Sequence, residues 1–152
     1  MTKPVYHIKA YQNANKARLL ELLALNTPQY FAPEEAADFA YYLDNEVDDY
    51  YVVLEGDSII ACGGINYFRE QNKAHISWDM VHPDYQGKGI GKLLLQHRLR
   101  LLHKEPGIEK IIVNTSQFAE QFYARQGFKT LSEEKDYWAE GIHLLHMELK
   151  QS

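Results

Sequence analysis

The sequence predicts an α/β (α+β) fold: a mixed β-sheet carrying helices on both faces. Three observations predict it. Strand-like and helix-like stretches follow one another in the order β-α-α-β-β-β-α-β-α-β-β along 152 residues. Two of the strand-like runs meet at Glu55-Gly56-Asp57, a hairpin signal that requires antiparallel pairing. Later, one apolar helix separates two strand-like runs, the arrangement of a right-handed parallel crossover. The length suits one domain, residues 1–152, with room for a substantial core.

Each element has its own local reason. Tyr6 to Tyr11 reads as a short first strand, and Ala14 to Leu25 carries helical spacing at Leu19, Leu20, Leu22 and Leu23. Pro33 opens a second helix, where its fixed φ fits the first turn, and the carboxylates of Glu34 and Glu35 favour the dipole there. Phe39, Ala40 and Leu43 continue its apolar side. Tyr50 to Glu55 and Ser58 to Phe68 form the hairpin. Lys73 to Val81 is a fourth strand, antiparallel to its predecessor across Arg69 to Asn72. Gly89 to about His103 is the central helix, and Lys110 to Asn114, rich in branched residues, is the strand after it. Phe118 to Gln126 makes another helix, ended by Gly127 as a C′ glycine. Phe128 to Leu131 and Ile142 to Leu149 close the sheet.

Bulk properties exclude several function classes. No apolar run reaches membrane-spanning length and nothing resembles a leader, so a cytoplasmic protein with no membrane partner is expected. A net charge of −5 argues against nucleic-acid binding, which needs a basic stripe. The acidity is uneven: residues 1–57 carry a balance of −6 and residues 58–152 one of +1. The acidic third is either a set of solvated helix faces or a rim that attracts a cationic substrate. Cys62 is the single cysteine, which excludes an internal disulfide and a cysteine metal cage. Its apolar setting, Ile59-Ile60-Ala61-Cys62, makes it a buried small hydrophobe. His143 and His146 are three apart on a strand and face opposite sides, and His97 and His103 share no helix face. No metal site is expected.

The stretch from Val81 to Lys92 is the most informative. Gly87, Gly89 and Gly91 remove the side chains that would hold a ligand away from the backbone, just before a helix begins. The free N–H groups and positive dipole end of that helix make a phosphate or pyrophosphate cradle. A Walker A loop is excluded, because Gly-x-x-x-x-Gly-Lys-Ser/Thr is missing. A dinucleotide fingerprint fits poorly after an antiparallel hairpin.

Gln86-Gly-Lys-Gly-Ile-Gly91 and, downstream, Tyr123-Ala-Arg-Gln-Gly-Phe128 together resemble the two signatures of the GNAT superfamily of N-acetyltransferases. That resemblance implies a mostly antiparallel central sheet with a splayed parallel pair, and acetyl-coenzyme A as co-substrate. It implies that the backbone of Gln86, Gly87, Lys88, Gly89, Ile90, Gly91 and Lys92 holds the pyrophosphate. The pantetheine arm would pair with the backbone at Met80 and Val81, where the strands holding Val81 and Val113 part. Lys88, Lys92 and Arg125 would meet the outlying phosphate, or are ordinary surface cations. The family's asparagine contact falls at Ser116, with Asn114 two residues earlier; either would serve.

Tyr123 would protonate the departing thiolate. For the base, strand alternation places His75, Ser77 and Asp79 on one face and Ile76, Trp78 and Met80 on the other. Among these His75 is favoured, with Asp79 and direct loss of the proton to solvent as alternatives. An oxyanion would be steadied by backbone N–H near Val81. The acceptor pocket is expected around the second helix and the loop before the last strand. Its candidates are Phe31, Tyr41, Tyr42, Tyr50 and Trp138, with Asp38, Asp44 and Glu46 supplying charge; each aromatic has a place in the core as its plainer reading. The expected activity is acetyl transfer to a primary amine, that of a small cationic molecule being favoured. A protein or peptide amine, and a non-catalytic acyl-coenzyme A sensor or assembly module, are the alternatives. An exposed closing strand makes a homodimer reasonable.

Overall fold

The computed structural model describes residues 4–151. Seven strands form one sheet in the order β1-β2-β3-β4-β5-β7-β6: β1 (Tyr6–Ala10), β2 (Asp49–Glu55), β3 (Ser58–Phe68), β4 (Lys73–Val81), β5 (Lys110–Thr115), β6 (Lys129–Ala139) and β7 (Ile142–Lys150). Every neighbouring pair is antiparallel except β4 and β5, which run parallel. The helices are α1 (Lys16–Leu25), α2 (Glu35–Asn45), α3 (Ile90–His103) and α4 (Glu120–Arg125). The mixed sheet with helices on both faces is therefore the fold that the element order implied. Among the described residues, no helix is long and apolar enough to cross a membrane.

Burial explains the layering. Leu19, Leu22 and Leu23 of α1 and Phe39, Tyr42 and Leu43 of α2 pack on Tyr50, Val52, Ile59, Cys62 and Met80, which cover one face of the sheet. On the other face, Leu95 and Leu102 of α3 and Tyr123 of α4 pack on Ile76, Ile111, Val113 and Met147. Removing this much apolar surface from water, at roughly 25 cal/mol per Å2, is the main force holding helices to sheet. The Gly56-Asp57 pair closes the β2–β3 hairpin, with Gly56 at φ +59°. Gly127, at φ +99°, ends α4 as a C′ glycine.

Two elements differ from expectation. The strand expected over Phe128 to Leu131 runs instead from Lys129 to Ala139 and turns through Glu140-Gly141 into β7. It is an edge strand, and Lys129 to Tyr137 stand exposed on both of its faces, so no apolar alternation marks it in the sequence.

The second difference is a bulge in β4. Cys62 pairs with Met80 and Gly64 with Ser77, so Trp78 and Asp79 together oppose Gly63 alone. Trp78 takes φ +50°, and the Tyr50 hydroxyl donates to its carbonyl at 2.7 Å. The simple alternation of β4 breaks there. Asp79 turns towards α3 and α4, as its contacts with Arg98 and Tyr123 show, while Trp78 and Met80 pack with α1 and α2. His75 and Asp79 thus do not share the face that strict period-two counting assigned them.

Candidate active site

The parallel pairing of β4 with β5 spans only Lys73 to Ile76 against Lys110 to Val113. Beyond Ile76 the two strands part, because β4 stays on β3 up to Val81 while β5 stays on β7 up to Thr115. Into this V opens a cleft of about 1090 Å3. Its floor is the unpaired edge of β4 over Ser77 to Val81, and its far wall is Asn114, Thr115 and Ser116. Strand edges of this kind present unpaired N–H and C=O groups.

At one end the cleft reaches the glycine turn. Gln86, Gly87, Gly89, Ile90, Gly91 and Lys92 line it. Gly87 and Gly89 adopt φ +78° and +80°, a left-handed backbone that side chains disfavour. Gly89 is the N-cap of α3, and the first helical bond runs from the Leu93 N–H to its carbonyl at 3.0 Å. The N–H groups of Ile90, Gly91 and Lys92 therefore have no acceptor within the helix. A Cβ on Gly91 would meet the Phe122 ring of α4 at 3.4 Å, an ordinary packing contact. Asn26 braces the turn: it is buried, its Nδ2 donates to the Leu22 and Val81 carbonyls, and its Oδ1 accepts from Gln86 Nε2 at 3.3 Å.

Among the expected phosphate cations, Lys92 and Arg125 line the cleft. Lys88 does not; it is exposed and its ammonium lies 5.2 Å above the Tyr85 ring. Met80, Val81, Asn114 and Ser116 all border the opening. The Asn114 Oδ1 also meets His146 Nδ1 at 2.7 Å.

A group of three interacting side chains also lines the cleft. The Tyr123 hydroxyl, on a residue only 3% exposed, donates to Asp79 Oδ2 at 2.6 Å. Asp79 Oδ1 lies 2.6 Å from Nη1 of Arg98, which is 0% exposed. Arg98 also donates through Nη1 to the Gly64 carbonyl at 3.0 Å and through Nε to that of Leu94 at 3.3 Å. Burial first, and then the charge of Asp79, hold the Tyr123 phenol well above its ordinary range. For Arg98 burial acts the other way, yet the carboxylate of Asp79 keeps it firmly protonated.

His75 lies on the cleft wall, with its ring 4.6 Å from that of Phe68. Burial, followed by the nearby charges of Lys73 and His146, lowers its pKa to about 4. Its Nε2 is buried without a hydrogen-bond partner among the described residues.

The remaining wall is aromatic. Trp78 stacks on Phe39 at 4.9 Å and on Phe31 at 6.4 Å, and Trp138 closes the opposite side with Nε1 donating to the Thr115 carbonyl at 3.1 Å. Tyr42 also lines the cleft, while Tyr50 is buried in the core and braces the bulge. Tyr41 is a correction: it stands 61% exposed outside the cleft, because helical phase turns Phe39, Tyr42 and Leu43 inward instead. The acidic candidates are displaced as well. Asp38, Asp44 and Glu46 do not line the cleft, and Asp44 pairs with Lys16 at 2.7 Å. The α2 carboxylate of Glu35 does reach the wall, and it accepts the Ala32 N–H at 2.7 Å.

Sequence reasoning missed Arg98, Asn26 and Glu35. For Arg98 the signal was present: Leu94, Arg98 and Leu102 recur four apart on one stripe, so the cation stood in an apolar row that only a buried anion would justify.

Comparison with known proteins agrees with this geometry. The family model for the acetyltransferase (GNAT) domain matches residues 24–151. An amino-acid acetyltransferase of Mannheimia succiniciproducens is 32% identical over 87 residues, which are 57% of this chain and 19% of that protein. The chain thus spans about a fifth of the length of the curated relatives it matches. The ribosomal-protein-S18-alanine N-acetyltransferase of Escherichia coli superposes with a TM-score of 0.81 at 18% identity, over 97% of this chain and 95% of that one. PaiA N-acetyltransferase of Thermoplasma acidophilum, solved with coenzyme A, gives 0.75 at 17% identity over 97% and 99%.

Proposed function

Because this chain belongs to the GNAT acetyltransferase family, we propose that it transfers the acetyl group of acetyl-coenzyme A directly to a primary amine. The observation that carries this reading is one continuous cleft joining an N–H cradle, a free strand edge and the buried Tyr123 hydroxyl. The residues present fit the co-substrate. Backbone N–H groups from Gln86 to Lys92 would hold the pyrophosphate at the positive end of α3. The free edge of β4 at Met80 and Val81 would pair with the amide-bearing pantetheine arm, opposite Asn114 and Ser116. Lys92 and Arg125 would meet the outlying phosphate.

Such a placement brings the thioester to the middle of the V, where Tyr123 supplies a proton to the departing sulfur. Cys62 takes no part. It is fully buried and its thiol is pushed up to about 12, chiefly by burial, so no thiolate is available to carry an acetyl group. The acceptor enters along the aromatic wall of Phe31, Trp78 and Trp138, whose faces attract an organic ammonium by cation–π contact. A small-molecule amine suits that wall, which Glu35 reaches while Asp38, Asp44 and Glu46 do not.

Free-thiol release from acetyl-coenzyme A, measured across a panel of small amines and peptide N-termini, tests the reading. Turnover is expected with at least one amine, and Tyr123→Phe should cut kcat by about 100-fold while coenzyme A affinity by calorimetry stays within about threefold. Binding without any turnover would leave an acyl-coenzyme A sensor as the better description. Absence of binding would end the reading altogether.

A further inference from the structure

A phenol whose only proton already points at a carboxylate is a poor acid by itself. If Tyr123 gave that proton to sulfur alone, a phenolate would be left in a buried site against the ionised Asp79. Like charges at such a distance oppose one another strongly in a low dielectric. The release of the Tyr123 proton must therefore be matched by the arrival of another at Asp79 or Tyr123.

Asp79 is placed to receive it. Its side chain keeps 21% of its surface open, and it lines the same cleft as Tyr123. The bulge at Trp78 is what turns it there. Gly63, the one residue opposing the bulge, leaves the necessary space: a Cβ on it would lie 2.1 Å from Asp79 Oδ1 and 2.9 Å from Arg98 Nη1. Three separate features of the chain thus converge on one ion pair: a strained backbone at Trp78, a side-chain-free position at Gly63 and a buried cation in the apolar stripe of α3.

Resting on the acetyltransferase reading above, we propose that Asp79, anchored by Arg98, collects the proton shed by the acylated nitrogen and returns it through Tyr123 to the leaving sulfur. The acceptor arrives as a neutral amine, having lost one proton to water. Its lone pair forms the C–N bond, and the C–S bond breaks with its electron pair leaving on sulfur. The surplus proton on nitrogen passes to Asp79, the Tyr123 proton passes to sulfur, and the Asp79 proton restores the phenol. Asp79 ends as a carboxylate beside Arg98, ready for the next cycle. Arg98, fully buried and paired with Asp79, is a positioning residue that acts by fixing that carboxylate. Two groups touch that carboxylate, Arg98 from α3 and Tyr123 from α4, while Tyr50 from β2 and Cys62 from β3 lie near enough to feel its charge.

Asp79→Asn tests the relay with two readouts. In the ligand-free protein labelled with 13C at tyrosine Cζ, the Tyr123 resonance is identified by its loss in Tyr123→Phe. Its ionisation should fall by at least about one pH unit in Asp79→Asn. In turnover, Asp79→Asn should lower kcat about 100-fold with an unchanged KM for acetyl-coenzyme A, and combining it with Tyr123→Phe should add little further loss. An unmoved Tyr123 titration, a rate within about twofold of wild type, or losses that multiply in the double variant would each overturn the relay. If Asp79→Asn does not fold, Asp79→Asn/Arg98→Met takes its place, with the same turnover expectation, because exchanging both partners leaves no unpaired buried charge. Wild-type protein that transfers acetyl while Asp79→Asn is unimpaired defeats the relay alone. Wild-type protein that transfers nothing defeats the acetyltransferase reading and the relay with it.

Discussion

His75 shows how environment decides what a residue can do. Its ordinary pKa near 6.5 would make it a natural proton acceptor. Here burial, Lys73 and His146 lower that value to about 4, so the ring is neutral at pH 7 and takes a proton reluctantly. An imidazole in that state is a weak base towards an ammonium group. His75→Gln should therefore show the same dependence of kcat/KM on pH near neutrality as the wild type, and a flattened profile in the variant would return the base role to His75. The same shift has a consequence for stability, with a definite sign. The unfolded chain binds the proton near pH 6.5 and the folded one only near pH 4, so His75 favours folding above the first value and that contribution fades as pH falls towards the second. Between about pH 7 and about pH 5 the wild-type Tm should drop more than that of His75→Gln. Equal drops would show that the ring is far easier to protonate than its surroundings imply. His97, also lowered by burial and by Arg100 and Arg98, supplies part of the remaining acid sensitivity.

Among the elements, α3 ties sequence to site most directly. Its apolar stripe, Leu94, Leu95 and Leu102, seats it on the sheet, and that seating aims its first turn into the cleft. Gly89 makes the entry possible at φ +80° with no cost in side-chain crowding. Gly89→Ala should cost about 1–2 kcal/mol of stability, since a left-handed backbone disfavours a Cβ. A lowered Tm with weaker coenzyme A binding would fit a cradle formed by these N–H groups; an unchanged affinity would detach the cradle from the cofactor. Elements with local causes were readable in this way: the Gly56-Asp57 hairpin, the Gly127 helix end and the apolar stripe of α3 all carry their own signal. Elements governed by distant partners were not. The bulge at Trp78 depends on Gly63 and on the Tyr50 hydroxyl from two other strands, so period-two counting misplaced Asp79. Most of β6 is exposed, held by pairing to β7 and marked by no pattern of its own. For the site, the glycine turn and Tyr123 could be read as motifs, whereas Arg98 mattered only once Asp79 lay opposite it.

At the scale of the whole molecule, the sheet is two antiparallel halves joined by one short parallel seam. β1 to β4 form one half and β5, β7 and β6 the other, and they share only four residue pairs along β4 and β5. Beyond that seam the halves diverge, and the cleft occupies the divergence. A ligand lying in it would touch both halves at once: the free edge of β4, the end of β5 and the first turn of α3. Its binding should therefore act as a strut across the weakest junction in the sheet. At a coenzyme A concentration of about 100 times Kd, linkage predicts about 2.7 kcal/mol of added stability. Local openings that exchange amide hydrogens should be suppressed most where the strut is anchored. Hydrogen exchange with and without coenzyme A should thus slow at Met80, Val81, Gly87 to Lys92 and Asn114 to Ser116. The pairing of β1 with β2, far from the seam, should change little. Protection spread evenly over the sheet would mean that the ligand stabilises the fold without spanning the V. Protection confined to the glycine turn would place the phosphates correctly but leave the pantetheine arm outside the gap between β4 and β5.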